Sequence, residues 1–181
     1  MGENWLILVR HSVPVIDSAR PAKLWRLSEE GRARCLPLAD ALRAYRPAIV
    51  LASIELKAQE TAALLAESLH LPWQTADGLH EHERPNTPFF PTLDEFRSAI
   101  ATFFRHPDIL IFGAETASQT LTRFQAALAH ILPQHPAQTV LIVSHGTVMA
   151  LFLAHQTGGD AFEIWQNLQM PDFVALPLIS L

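Results

Sequence analysis

The stretch "LILVRHSV", Leu6 to Val13, runs four apolar residues straight into an adjacent arginine and histidine. Leu6 to Val9 are too few for a helix and too apolar for a solvated edge, so they predict a buried strand of a parallel sheet. In open α/β sheets, ligands bind beyond the carboxyl ends of such strands. Arg10 and His11 are therefore candidate site residues by position alone.

Two further short apolar runs have the same character, Ala48 to Ala52 and Thr139 to Val143, and the second is followed by "SHGT". If these are parallel strands of one sheet, their carboxyl ends share an edge and His145 converges on His11. The run ending at Ala52 brings Ser53 to that edge, where it is expected to cap a helix reaching about Leu69, with Leu56, Ala63, Leu64 and Ala66 on its inner side. Lys57 then falls in the first turn of that helix, and helix N-termini attract anions. Arg10, Lys57, two histidines and a helix N-terminus together make an anion site of phosphate size.

The rest of the chain alternates helices and strands. Ser28 is an N-cap for a helix from Glu29 to about Tyr45, which Pro37 is expected to kink or split. Trp73 to Thr92 is Pro-rich, contains "HEHERPN" at residues 80–86 and has no periodicity, so it is expected to be a long loop or lid. Helices are expected over Leu93–Arg105, Thr116–Leu132, Val148–His155, with Gly158 as a stop signal, and residues 161–169. Ile109–Phe112 reads as a strand and Phe173–Leu178 as a Pro-limited edge strand. This alternation predicts an α/β fold, a three-layer α/β/α sandwich with a mainly parallel central sheet, in a single domain over residues 1–181.

Composition narrows the function. With 49% hydrophobic and 17% charged residues the chain is of ordinary soluble, globular type. A net charge of -5 argues against a nucleic-acid partner, so an anion site has to be a local cluster. The single cysteine, Cys35, excludes an internal disulfide and a Cys-based zinc site and fits a reducing compartment. No leader-like segment and no run near the roughly 18 apolar residues of a membrane span is present, so a cytoplasmic protein without a membrane partner is expected.

The same residues resemble the motifs of the histidine phosphatase superfamily, which includes the phosphoglycerate mutases. "VRHS" resembles its nucleophile signature, "LSEEGRARC" its segment at the start of the first helix, "SIELKAQETA" its second basic motif, "LHE" its acid motif and "VSHGT" its second histidine motif, in the family's order from end to end. The resemblance implies a phosphoglycerate mutase-like fold and a metal-independent phosphatase acting on phosphomonoesters or a phosphoprotein through a phosphohistidine, with no cofactor. It makes His11 the nucleophile, Arg10 and Lys57 phosphate ligands, His145 the second phosphate-site histidine and Glu81 the proton donor. Ser12 stands where the family usually has glycine and Lys57 where it usually has arginine. The Ser12 hydroxyl is then either a group the turn must accommodate or a direct donor to substrate.

The chemistry asks for these residue types independently. Phosphoryl transfer keeps charge on the non-bridging oxygens, which fixed cations and N–H donors stabilise. A neutral imidazole can attack phosphorus, and a departing alkoxide needs a proton from an acid held protonated by its surroundings. Glu83 and Glu55 compete with Glu81 for that role. His80 and His82 would make a metal site with His11 and His145 only if they turned toward them. Arg84 and Asn86 either face the rest of the substrate or are solvated loop residues, and the same choice applies to Arg20, Lys23 and Arg26. Two other functions stay open: a phosphotransferase of the phosphoglycerate mutase type, and a non-catalytic binder of phosphorylated ligands.

Overall fold

The computed structural model describes residues 3–85, 87 and 89–178; Asn86 lies outside the described residues. Five strands form one sheet: β1 (Trp5–Arg10), β2 (Ile49–Ala52), β3 (Trp73–Thr75), β4 (Val140–Ser144) and β5 (Asp172–Pro177), in the order β3-β2-β4-β1-β5. The pairings of β1, β2, β3 and β4 are parallel, and β5 runs antiparallel along β1 as the last strand of the order. The helices are α1 (Glu29–Leu42), α2 (Leu56–Leu69), α3 (Leu93–Arg105), α4 (Ala117–Ile131), α5 (Gly146–Thr157) and α6 (Ala161–Asn167).

Strand alternation splits the core into two layers, because successive side chains point to opposite faces. Ile7, Val9, Val50, Ala52, Leu141 and Val143 pack on α1 and α2 through Leu38, Ala39, Leu42, Ala58, Ala62 and Leu65. Leu6, Leu8, Leu51, Val140 and Ile142 pack on α4 and α5 through Phe124, Leu128, Val148, Met149 and Phe152. The result is the expected three-layer sandwich. Residues 146–153 of α5 are all buried, so this helix is apolar around its whole circumference, as a helix wedged between a sheet and its neighbours must be.

Local signals set most boundaries. Ser28, Thr92 and Thr116 each accept a backbone N–H three residues on, at the starts of α1, α3 and α4, and Thr116 with Gln119 completes a capping box. Gly158 ends α5 in the left-handed region at φ 71°. Gly31 is required by close approach: a Cβ there would lie 2.1 Å from the carbonyl oxygen of Val13, the segment just after the first strand.

The structure departs from the sequence reading in four places. Pro37 does not split α1, which runs unbroken to Leu42 and tightens into a 3-10 turn over Arg43–Tyr45. Ser53 does not cap α2: Glu55 holds that position, and the buried face of the helix is Ala58, Thr61, Ala62, Leu65 and Ala66, so Leu56, Ala63 and Leu64 are only half-buried. The supposed loop from Trp73 begins with β3, a three-residue, exposed strand whose pattern is too short to read. Ile109–Phe112 is no strand; Ile109 and Leu110 are exposed on an irregular turn. Between β1 and α1, Ala22–Leu24 forms a 3-10 turn and Pro14 bridges Leu27. No helix among the described residues is long and apolar enough to cross a membrane.

Candidate active site

The parallel register places three residues one step beyond three strand ends. Arg10 pairs with Ser144 and Ala52 with Val143, so His11, Ser53 and His145 emerge together at the carboxyl edge. Backbone bonds fix that exit: His11 N–H donates to Ser144 O at 3.0 Å and Ser53 N–H to Val143 O at 2.9 Å. The rings of His11 and His145 stand edge to face with centroids 5.1 Å apart.

The His11 ring is oriented by its own turn. Nδ1 lies 2.8 Å from the carbonyl oxygen of Ser12, which can only accept, so Nδ1 carries the proton and Nε2 keeps its lone pair. Burial, then the neighbouring His145 and Lys57, push the His11 pKa well below its ordinary value, and burial followed by Lys57 does the same for His145. Both rings are neutral at pH 7. His145 Nε2 pairs with Ser53 Oγ at 2.7 Å, and its buried Nδ1 has no protein partner.

Ser12 is turned away from substrate duty. Its hydroxyl donates to Gly31 O at 2.7 Å and its N–H to Thr61 Oγ1 at 3.0 Å, so the hydroxyl proton is used to tie the His11–Ser12 turn to α1, and the N–H ties it to α2. Nearby Cys35 is buried, and burial pushes its thiol up to about 11, leaving it unreactive.

Of the cations, Lys57 is buried and Arg10 partly so. Arg10 donates through Nη1 to Leu168 O at 2.6 Å, while its buried Nε has no protein partner. Gly146 makes room for this side chain, since a Cβ there would come within 3.0 Å of the guanidinium carbon. Lys57 is buried and donates to Ala22 O at 2.9 Å and to the Glu55 carboxylate.

Glu81 arrives on the loop after β3, which Ser144 Oγ pins by donating to Leu79 O at 2.8 Å. Its carboxylate accepts the N–H groups of Thr147 and Val148, at 3.1 and 3.2 Å, in the first turn of α5, and that of His82 at 2.9 Å. Burial alone would raise its pKa, but Arg84, His145 and these N–H donors outweigh it and bring it down to about 2. The free site therefore holds an ionised Glu81. The expectation that its surroundings keep it protonated near neutral pH is corrected.

Arg84 stands 3.8 Å from Glu81 and over the Phe96 ring, at 5.4 Å from its centroid. Glu83 is half exposed and pairs with His80 at 3.1 Å, away from Glu81's partners. Glu55, the other rival carboxylate, lies inside the cluster: it accepts Glu81 N–H at 3.0 Å and sits 3.8 Å from His145 Nε2. His82 packs against Phe103 and Phe112, with centroids 4.3 and 4.9 Å away, and its Nε2 lies 3.0 Å from Glu115 O. It does not turn toward His11. Among the described residues no group of three or more His, Cys, Asp or Glu side chains is arranged to hold a metal ion.

Three contributors escaped the sequence reading. Ser53 is the partner of His145 rather than a helix cap. The first-turn N–H groups of α5 serve Glu81. Arg123 of α4 clamps the acid loop, donating to Gly78 O at 2.8 Å, His80 O at 2.9 Å and Glu81 O at 3.2 Å while paired with Glu115. Only the placement of an arginine on an otherwise amphipathic helix hinted at the last.

Comparison with known proteins agrees with this fold. The uncharacterized phosphatase PhoE of Bacillus subtilis (strain 168) is 29% identical over 112 residues, 62% of this chain and 54% of that one, so the matched stretch spans about half the length of that relative. The native structure of a mycobacterial glucosyl-3-phosphoglycerate phosphatase superposes with a TM-score of 0.77 at 17% identity, over 96% of this chain and 90% of that one. Bacillus stearothermophilus YhfR superposes with a TM-score of 0.71 at 24% identity, over 92% and 86% of the two chains. At these identities the superpositions establish the shared fold. Residues 6–176 match the family described as histidine phosphatase superfamily (branch 1), and the chain belongs to that superfamily.

Proposed function

We propose that the protein is a phosphatase that hydrolyses the phosphomonoester of a small molecule, or a phosphoprotein, through a phosphohistidine on His11. The observation that carries the reading is the state of His11: a neutral imidazole, its Nδ1–H given to Ser12 O, leaving Nε2 as a nucleophile. Around it stand Arg10 and Lys57 as cations, with two buried polar nitrogens, Arg10 Nε and His145 Nδ1, that have no protein partner and suit phosphoryl oxygens.

The steps follow from these groups. Nε2 of His11 attacks phosphorus, the new N–P bond forms and the P–O bond to the leaving group breaks. Arg10, Lys57 and His145 offset the charge on the non-bridging oxygens through the transfer. The departing oxygen takes a proton from Glu81, which picks it up from solvent as the incoming phosphoryl dianion raises its pKa, as any added negative neighbour does. Water then attacks phosphorus, Glu81 takes its proton, and the N–P bond breaks to release inorganic phosphate and free His11. No step calls for a metal or a cofactor.

Brief incubation with a radiolabelled phosphate donor tests this. Acid-labile, base-stable label should appear and should be absent from His11→Ala. Label on serine, or label of equal intensity in that variant, overturns the reading.

A further inference from the structure

We propose that the Glu55 carboxylate is a built-in rival of the substrate's phosphoryl group for the Lys57 ammonium, and so keeps phosphate affinity low in this site. The proposal rests on the phosphatase reading and adds to it a residue that sets how tightly substrate and product are held.

Glu55 is the N-cap residue of α2, yet its side chain makes no capping bond. It turns inward instead. One oxygen pairs with Lys57, whose side chain is 6% exposed against 10% for Glu55, and the other accepts Glu81 N–H at 3.0 Å and lies 3.8 Å from His145 Nε2. A buried carboxylate is tolerated only when it is paired, and here its partner is a cation meant for phosphate. Lys57 has two acceptors of its own before any ligand arrives, Glu55 and Ala22 O.

A phosphoryl dianion entering beside His11 meets both members of this pair. To bind it, Lys57 must leave Glu55 or be shared with it, and the carboxylate repels the incoming charge. Free phosphate, bound ester and transition state carry similar charge on the same oxygens, so the penalty falls on all three together. Such uniform weakening raises KM and the inhibition constant of product phosphate, and leaves kcat where chemistry sets it. The site gives up affinity and sheds product readily.

Glu55→Gln removes the charge at nearly constant shape: its one amide oxygen keeps the Glu81 N–H, the amide NH2 takes the place of the oxygen that faced Lys57, and Lys57 is left with Ala22 O as its protein acceptor. Inorganic phosphate is titrated calorimetrically into wild type, Glu55→Gln, Lys57→Gln and the double variant, with folding checked by thermal melting. Glu55→Gln should bind phosphate about tenfold to a hundredfold more tightly, the scale of one unscreened charge a few ångströms away in a protein interior. Loss of Lys57 should cost more affinity in the Glu55→Gln background than in wild type, since only there is its charge free. Equal or weaker phosphate binding by Glu55→Gln overturns the proposal, and so does an equal cost of Lys57→Gln in both backgrounds. If Lys57→Gln does not fold, the Glu55→Gln arm decides alone. Failure of the phosphatase reading shows separately, as missing label on His11, and does not alter the titrations.

Discussion

The rings of His11 and His145 meet edge to face at 61°, 5.1 Å between centroids, each in a buried setting where a charge on one opposes a charge on the other. Burial is the larger cause of their lowered pKa values, and Lys57 adds to it for both. The folded pKa of each lies below the ordinary histidine value, so the neutral form of His11, the one proposed to attack, survives to lower pH and is lost only as pH falls through that lowered value. The acidic limb of kcat/KM, corrected for ionisation of the substrate phosphate, should therefore lie below about pH 6.5. A limb at or above that value would mean that His11 titrates as a solvated histidine.

The depressed pKa of Glu81 is also a stability statement. Its folded value of about 2 stands against an ordinary 4.5, so its contribution is fully present above pH 4.5 and is lost as pH falls toward 2. The shift corresponds to roughly 3 kcal/mol at most. Urea unfolding of wild type should lose stability steeply over that interval, and Glu81→Gln should show a shallower loss there. Parallel pH profiles would mean that Glu81 titrates at its unfolded value.

How far the sequence reveals this protein depends on the range of each interaction. Helix α3 and the cap at Ser28 rest on contacts within a few residues, so local pattern suffices to find them; β1 is legible from its apolar run although its partners β4 and β5 lie at the far end of the chain. The convergence of His11 and His145 needs only two parallel strands in one sheet, which the apolar runs announce. Ile109–Phe112 misleads because an apolar run can also pack as an irregular turn: Ile111 and Phe112 pack against Phe103 and Ala117 without any strand pairing. The clamp by Arg123 and the α5 N–H groups that help ionise Glu81 lie 42 and 66 residues away, where local pattern carries no information; Arg84, the larger cause of the ionised state, is three residues on, but its sequence position does not say that it faces Glu81.

Arg123 is a positioning residue for the acid loop. It holds three carbonyls of residues 78–81 and pairs with Glu115, which in turn accepts the Glu83 N–H at 3.0 Å. Arg123→Ala leaves Glu115 unpaired and those carbonyls unbound, a loss of roughly 3 kcal/mol of stability. At a temperature where the variant stays folded, alkyl phosphates should lose kcat while inorganic phosphate binds as before. Arg123→Lys should restore little, since an ammonium cannot span the same acceptors. Unchanged kinetics for alkyl phosphates would make the clamp purely structural.

In the proposed mechanism Arg10 and Lys57 supply the positive charge that a bound metal ion could otherwise supply. Activity should survive exhaustive chelation, and Lys57→Arg should keep activity while binding phosphate at least as well, because a guanidinium can hold two oxygens. Activity abolished by chelation and restored by zinc or manganese would contradict the mechanism.

The proposed role of Glu81 as proton donor makes the sharpest demand, because its carboxylate is ionised in the free site and already satisfied by the N–H groups of His82, Thr147 and Val148. If it gains a proton only when a phosphoryl dianion arrives, its value depends on how badly the departing oxygen needs that proton. Aryl phosphates, whose leaving anions are stable, should lose little rate in Glu81→Gln, whereas alkyl phosphates should lose on the order of 10²- to 10⁴-fold, the usual worth of general acid catalysis. Glu83→Gln serves as the control, since Glu83 is half exposed and paired with His80. Equal losses for both substrate types in Glu81→Gln would reduce Glu81 to an anchor of the α5 N-terminus; a selective loss in Glu83→Gln would move the proton to the neighbouring carboxylate.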